Sequence, residues 1–181
     1  AFSWSKVNTV GPIFDLKKLD WLNGHYLRAL TADELADRIL EFESHWAPTP
    51  AEVEILRSAV PIIQERLVLL KDARPQLDYL FAADDALAID DDARGGLAEN
   101  AGEILDAAIA VAESVPFTTD AIQAGLRERI VEGMGIKPKF AFAPIRVGIS
   151  GRKVSPPLFE SMEILGRESS LVRLRALRAT L

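Results

Sequence analysis

Cysteine is absent from the chain, and histidine occurs only as His25 and His45. A disulfide framework and any Cys-based zinc site are therefore excluded, and two histidines alone cannot complete a usual histidine-rich metal site, so no metal is expected. Long apolar runs are missing as well. Stretches such as LVLL at 67–70 fall far short of the roughly 20 residues needed to cross a bilayer, so a soluble chain with no membrane span is expected. The N-terminus, AFSWSK, has no charged segment followed by an apolar one and no initiating methionine. It reads as the cut end of something longer.

Catalytic signatures are equally scarce. SWSK at Ser3 and SGRK at Ser150 match the S-x-x-K pattern of certain acyl-transferring serines, but the companion motifs are missing. GRKVS is faintly like the lysine loop that class I aminoacyl-tRNA synthetases use on ATP, yet it lacks the second lysine. No phosphate-cradling G-x-x-x-x-G-K occurs. The carboxylates mostly fall at helical surface spacing, where their ordinary effect is solubility. Nothing in the chain performs chemistry by itself.

What the chain does have is an uneven charge. It holds 181 residues, 49% hydrophobic and 27% charged, with a formal net charge of −6. That is enough for one sizeable core or two small helical lobes sharing an interface. Residues 1–132 carry 12 Lys and Arg against 24 Asp and Glu, whereas residues 133–181 carry 9 against 3. Between Glu132 and Glu160 there is no acidic residue, while Lys137, Lys139, Arg146, Arg152 and Lys153 are all basic. A polyanion would be drawn to this part and turned away elsewhere. Charge alone leaves a nucleic-acid site and an ordinary solvated face both open.

The hydropathy pattern reads as helix after helix, hence an all-α fold. Asp15 is a cap candidate for FDLKKLDWLNGHYL, with Leu16, Leu19, Leu22 and Tyr26 as its apolar residues and Phe14, Trp21 and Tyr26 expected in the core. Thr31 with Glu34, and Thr49 with Pro50 and Glu52, form capping-box patterns. Pro61 should break or kink a continuous helix after Val60. Beyond it Ile63, Leu67 and Leu70 make a stripe with Arg66 on its flank, reaching solvent. DDALAIDDDARGG is an acidic connection, and Pro116 ends an alanine-rich helix. Thr118 or Thr119 caps the next one, with Gly133 and Gly135 as stop signals. Strand alternation is found only in IRVGIS, and weakly. In the last helix Leu171, Leu174, Leu177 and Leu181 should face inward, with Arg173, Arg175 and Arg178 on other faces.

Three separated stretches in order, FDLKKLDWLNGHYLR at 14–28, PIRVGISG at 144–151 and SPPLFESMEILGRE at 155–168, closely resemble the C-terminal part of bacterial glutamyl-tRNA synthetases, most of all actinobacterial ones. QERLVLLKDARPQLDYLF between them fits the same family. The family is a class I synthetase with an ATP-binding catalytic domain, whose H-I-G-H-like and K-M-S-K-S-like signatures are both missing here. The resemblance implies an all-α, helical anticodon-binding domain in two small lobes. Residues 1–45 would be the end of the helical stem-contact domain and residues 46–181 the anticodon-binding domain. It further implies a cytoplasmic monomer whose partners are tRNA(Glu) and the missing N-terminal catalytic domain. ATP and Mg²⁺ would belong to that catalytic domain, with no cofactor in this fragment. The rival reading is a stand-alone helical adaptor whose basic corner docks RNA or an acidic protein.

Anticodon bases are splayed out, stacked on flat or apolar surfaces and met along their Watson–Crick edges, while cations hold phosphates. GRKVSPPLF is suited to such contacts, since Gly151 permits close backbone approach, Pro156 and Pro157 stiffen the loop and expose carbonyls, and Leu158 offers an apolar face. The resemblance places Arg146, Ser155, Pro156, Pro157 and Leu158 at the anticodon. It also aligns Arg66 with an arginine that reads the third anticodon base, cytosine in a glutamate anticodon. Some relatives carry threonine at the position of Ser155 and glycine at that of Pro157, so backbone contacts there are open to variation. Lys137, Lys139, Arg152 and Lys153 are phosphate-contact candidates. Each role has a plain alternative: Leu158 as a core residue, Arg146 as a surface ion-pair partner, and Arg66 as a helix-flank cation packing its stem on Ile63 and Leu67.

Overall fold

The computed structural model describes residues 14–181, so the Ser3 motif lies outside the described residues. Helices account for the ordered elements, and no strand occurs among the described residues. Helix α1 (Leu16–Ala29) starts where the Asp15 side chain accepts from the Lys18 amide, at 3.1 Å. Helices α2 (Ala32–Phe42) and α3 (Pro50–Gln64) each begin in a complete capping box, with the Glu34 and Glu52 carboxylates accepting from the amides and hydroxyls of Thr31 and Thr49. These local hydrogen bonds satisfy amides that a helix start leaves without partners.

Pro61 does not break α3 but sits inside it. Its ring lies on the solvent side, where water can serve the carbonyl it leaves unpaired. On the other side Val60 and Ile63 are fully buried and hold the last turn in place. The helix stops at Gln64, so Ile63, Leu67 and Leu70 do not form one helical stripe. Leu67 is buried beyond the helix end, and Leu70 opens a 3₁₀ turn (Leu70–Asp72) leading into α4 (Ala73–Phe81).

A second 3₁₀ turn (Asp84–Ala86) and the short α5 (Asp91–Gly95) occupy the acidic connection. Then come α6 (Ala101–Ser114) and α7 (Thr119–Leu126), the latter capped by Thr118 and extended by a π-helical segment, Arg127–Glu132, that ends at Gly133. Helices α8 (Pro138–Ala141), α9 (Ala143–Ser150), α10 (Leu158–Leu165) and α11 (Arg167–Arg178) complete the chain. Helix α10 touches α3 and α4 on one side and α7, α9 and α11 on the other, so one buried apolar cluster runs from Leu27 to Leu177.

Three further expectations fail for tertiary reasons. IRVGIS is helix, not strand: Ile145, Val147, Gly148, Ile149 and Ser150 are all buried, and a helix covered on every side loses its polar face and with it the helical period. Phe14, Trp21 and Tyr26 are exposed, as are Leu16, Leu19 and Leu22, because α1 packs by its opposite side through Gly24 and Leu27. There Asn23 Nδ2 donates to the Val68 carbonyl at 2.5 Å, and Gln64 Nε2 donates to the Leu27 and Leu30 carbonyls at 3.1 and 2.8 Å. In α11, Leu181 is exposed beyond the helix end, whereas Arg173 is buried. The Arg173 guanidinium donates to the carbonyls of Tyr79 (2.8 Å), Ala82 (2.8 Å) and Ile149 (3.1 Å) and to Asp84 Oδ1 (2.6 Å), tying α4, the second 3₁₀ turn and α9 to α11.

Candidate functional site

Chain reversal after α3 leaves Arg66 exposed in a turn. The 3₁₀ entry to α4 sets Asp72 and Gln76 one helical turn apart, and the α9–α10 loop returns with Arg152, Val154, Ser155 and Pro156. These three segments line a groove of about 430 Å³, to which Ile62 and Pro75 also contribute. Arg66, Arg152, Ser155 and Pro156 are thus brought together from distant parts of the sequence. A neighbouring groove of about 520 Å³ shares Ile62 but is lined by Glu54, Glu160 and Glu163, a poor host for a polyanion.

The loop that forms the rim is tied down on both sides. Arg152 donates to the Pro75 carbonyl at 2.6 Å and pairs with Asp78 at 2.8 Å, and Lys153 pairs with Asp92 at 3.3 Å. Gly151, at φ 74°, ends α9, and its carbonyl accepts from the Asp90 amide at 2.9 Å. A Cβ there would lie 2.0 Å from the Ala88 carbonyl oxygen, so the close approach that glycine permits is to residues 88–89 of this chain. Ser150 is buried, donates to the Arg146 carbonyl at 2.8 Å and has no base beside it, since Lys153 is paired elsewhere. Its S-x-x-K match is incidental.

Arg146 stands behind the loop. Its Nη1 donates to the Ser155 hydroxyl (2.7 Å), the Ser155 carbonyl (3.2 Å) and the Pro156 carbonyl (2.9 Å), and the Pro157 carbonyl accepts from Ser161 Oγ (2.6 Å), so both proline carbonyls expected to be exposed are held from within. It has no carboxylate partner among the described residues and is not a surface ion pair. Burial holds its pKa below the ordinary value, with the charge of nearby Arg66 acting in the same direction and Tyr79 and Glu160 opposing. Behind it, Tyr79 Oη and Ser161 Oγ lie 2.6 Å apart, and burial pushes the phenol up to about 12.

The remaining expected site residues are placed differently. Leu158 is 4% exposed in the first turn of α10, which is the core role rather than a base platform. Pro157 is the half-buried N-cap of α10. Lys137 and Lys139 are exposed at α8, outside the lining of the groove, and take part in no ion pair among the described residues. Sequence reasoning passed over Asp72, Gln76 and Val154. The i, i+4 spacing of Asp72 and Gln76 was the one available signal, and it names no ligand without the facing loop. Val154 is 82% exposed, an apolar side chain held out at the groove's edge.

Comparison with known proteins adds an independent observation. The chain is 45% identical to a glutamate–tRNA ligase of Cutibacterium acnes over 98% of its own length and 38% of that protein's. It is 47% identical to the glutamate–tRNA ligase of Acidothermus cellulolyticus over 96% of its length and 36% of that protein's. It thus spans little more than a third of the curated relatives it matches. A crystal structure of a glutamate tRNA ligase from Elizabethkingia meningosepticum in complex with its amino acid shares the fold, with a TM-score of 0.81 at 20% identity, over 99% of this chain and 35% of that one. Residues 31–178 match the family described as the anticodon binding domain, and the chain belongs to that family.

Proposed function

We propose that this chain is the tRNA-binding part of a glutamate–tRNA ligase and reads the anticodon of tRNA(Glu) in the groove between Arg66 and the Ser155–Pro156 loop. Glutamate activation with ATP and Mg²⁺ is assigned to catalytic sequence beyond these residues. The observation that carries the reading is the convergence of Arg66, Ser155 and Pro156 on one groove whose rim is latched in place. A preformed groove orders few groups on binding, which favours affinity. The stand-alone adaptor finds no comparable support.

Arg66 enters the groove with donors only, and it makes no ion pair among the described residues. Cytosine offers O2 and N3 as acceptors, whereas guanine in the same orientation offers N1–H and N2–H₂. Donor would then face donor. Unpaired polar groups cost about 1 to 3 kcal/mol, so the chain should prefer an anticodon stem-loop with cytosine at the third position by roughly tenfold to a hundredfold. Arg66→Gln, which both donates and accepts, should bind the two loops nearly alike with no loss of stability. Fluorescence titration of both proteins with both loops decides the matter, and an unchanged ratio in the variant removes Arg66 from recognition.

A further inference from the structure

We infer that Asp72 and Gln76 are the acceptor half of this groove and make it select a pyrimidine carrying an exocyclic amine, cytosine, over uracil. The inference rests on the anticodon reading above. Its basis is the set of polar groups in the groove that remain free for a ligand.

Arg152 is committed to Pro75 and Asp78, at 2.6 and 2.8 Å. The Ser155 hydroxyl is committed twice, accepting from Arg146 at 2.7 Å and donating to the Pro156 carbonyl at 3.1 Å. Gln76 Nε2 donates to the Asp72 carbonyl at 3.0 Å, which sets the amide orientation and leaves Oε1 and one Nε2 hydrogen free. The Asp72 carboxylate is on a half-buried residue and has no ion pair among the described residues, Arg66 included. Hence the side-chain acceptors left uncommitted at the groove are Asp72 and Gln76 Oε1, which line it together with the Arg66 donors.

That arrangement matches the edge of cytosine in one orientation. O2 and N3 accept from Arg66 while the 4-amino group donates to Asp72 or Gln76. Uracil presents O4 where cytosine presents the amine. Lone pair would then face carboxylate, leaving both desolvated and unpaired. Arg66 contributes to the same choice, because uracil N3–H would face its donors, but it cannot sense the amine itself, since O2 and N3 are all it meets. The acceptors can.

The test uses the whole 181-residue chain and anticodon stem-loops that differ only at the third base: cytosine, uracil, guanine, or pyrimidin-2-one, which keeps O2 and N3 but lacks the amine. The wild-type chain should bind the uracil and pyrimidin-2-one loops about tenfold or more weakly than the cytosine loop. Asp72→Asn, isosteric and able to donate to O4, should lower the cytosine-to-uracil ratio several-fold, the remaining preference coming from uracil N3–H against Arg66. The double variant Asp72→Leu/Gln76→Leu, with no acceptor on either side chain, should abolish the cytosine-to-pyrimidin-2-one difference while leaving pyrimidin-2-one affinity near the wild-type value. A merely structural role would weaken all loops together, and that result, or unchanged ratios in both variants, overturns the inference. Equal wild-type binding of the cytosine and guanine loops sinks the anticodon reading itself and this inference with it. A retained cytosine-to-guanine preference beside unchanged cytosine-to-uracil ratios sinks the inference alone.

Discussion

Replacing Arg173 by methionine removes a guanidinium that is 2% exposed and donates to Tyr79, Ala82, Ile149 and Asp84. Methionine fills most of the volume, so the expected loss comes from the acceptors left behind rather than from a cavity. The Asp84 side chain retains 28% exposure and can recover some hydration. The three carbonyls cannot all do so. Breaking a buried ion pair from one side typically costs about 3 to 5 kcal/mol, and partial rehydration of Asp84 puts Arg173→Met in the lower half of that range. The loss would appear as a lower urea midpoint at unchanged slope. Asp84→Asn should cost about 3 kcal/mol or more, since it leaves Arg173 a buried charge without its carboxylate. The double variant should lose less than the two single losses added together, because Asp84 has no partner once Arg173 is gone. If Arg173→Met loses under about 1 kcal/mol, or if the two losses simply add, the cluster is not the tie between α4, α9 and α11 inferred from its geometry.

Gly151→Ala meets both a positive φ of 74° and a backbone oxygen at 2.0 Å. A destabilisation of about 2 to 4 kcal/mol should show in chemical denaturation, together with weaker stem-loop binding because Ser155 is displaced. Glu34, Glu52 and Glu163 titrate below their ordinary value because they accept hydrogen bonds from Thr31, Thr49 and Thr119. Their folded pKa values are depressed, so the unfolded chain binds more protons in that window. The stabilisation is full above the unfolded value and is lost as pH falls through the folded one. Urea midpoints at pH 5 and pH 3 should therefore differ less in the triple Glu→Gln variant than in the wild-type chain.

The helix starts at Asp15, Thr31, Thr49 and Thr118 were legible because a cap is a contact between residues two or three apart. Pro61 misled because its cost depends on which side of α3 meets solvent, which no local pattern records. In α1 the apolar pattern was real, yet its wide face is exposed and the helix docks through Gly24 and Leu27 instead. Arg173 looked like another surface arginine. Only the packing of α11 against α6, α9 and α10 turns its side inward. At the groove, Arg66, Ser155 and Pro156 came from the family resemblance, and their meeting in one place required the fold. Asp72 and Gln76 carried no chemical signal until the fold set them in one groove with the α9–α10 loop.

The latched loop also bears on ionic strength. The counterions released on binding are those condensed on the RNA, and a cation already paired with a carboxylate neutralises few phosphates to displace them. Arg152 and Lys153, held by Asp78 and Asp92, therefore shape the rim without adding much to that release. Arg146 is half-buried behind Ser155 and hardly adds to it. Under the proposed reading, counterion displacement would fall to Arg66 and to the phosphate-contact candidates Lys137 and Lys139. Affinity for RNA should accordingly decline with added salt less steeply than the crowd of basic residues suggests, with more of the binding free energy residing in short-range contacts that mobile ions do not screen.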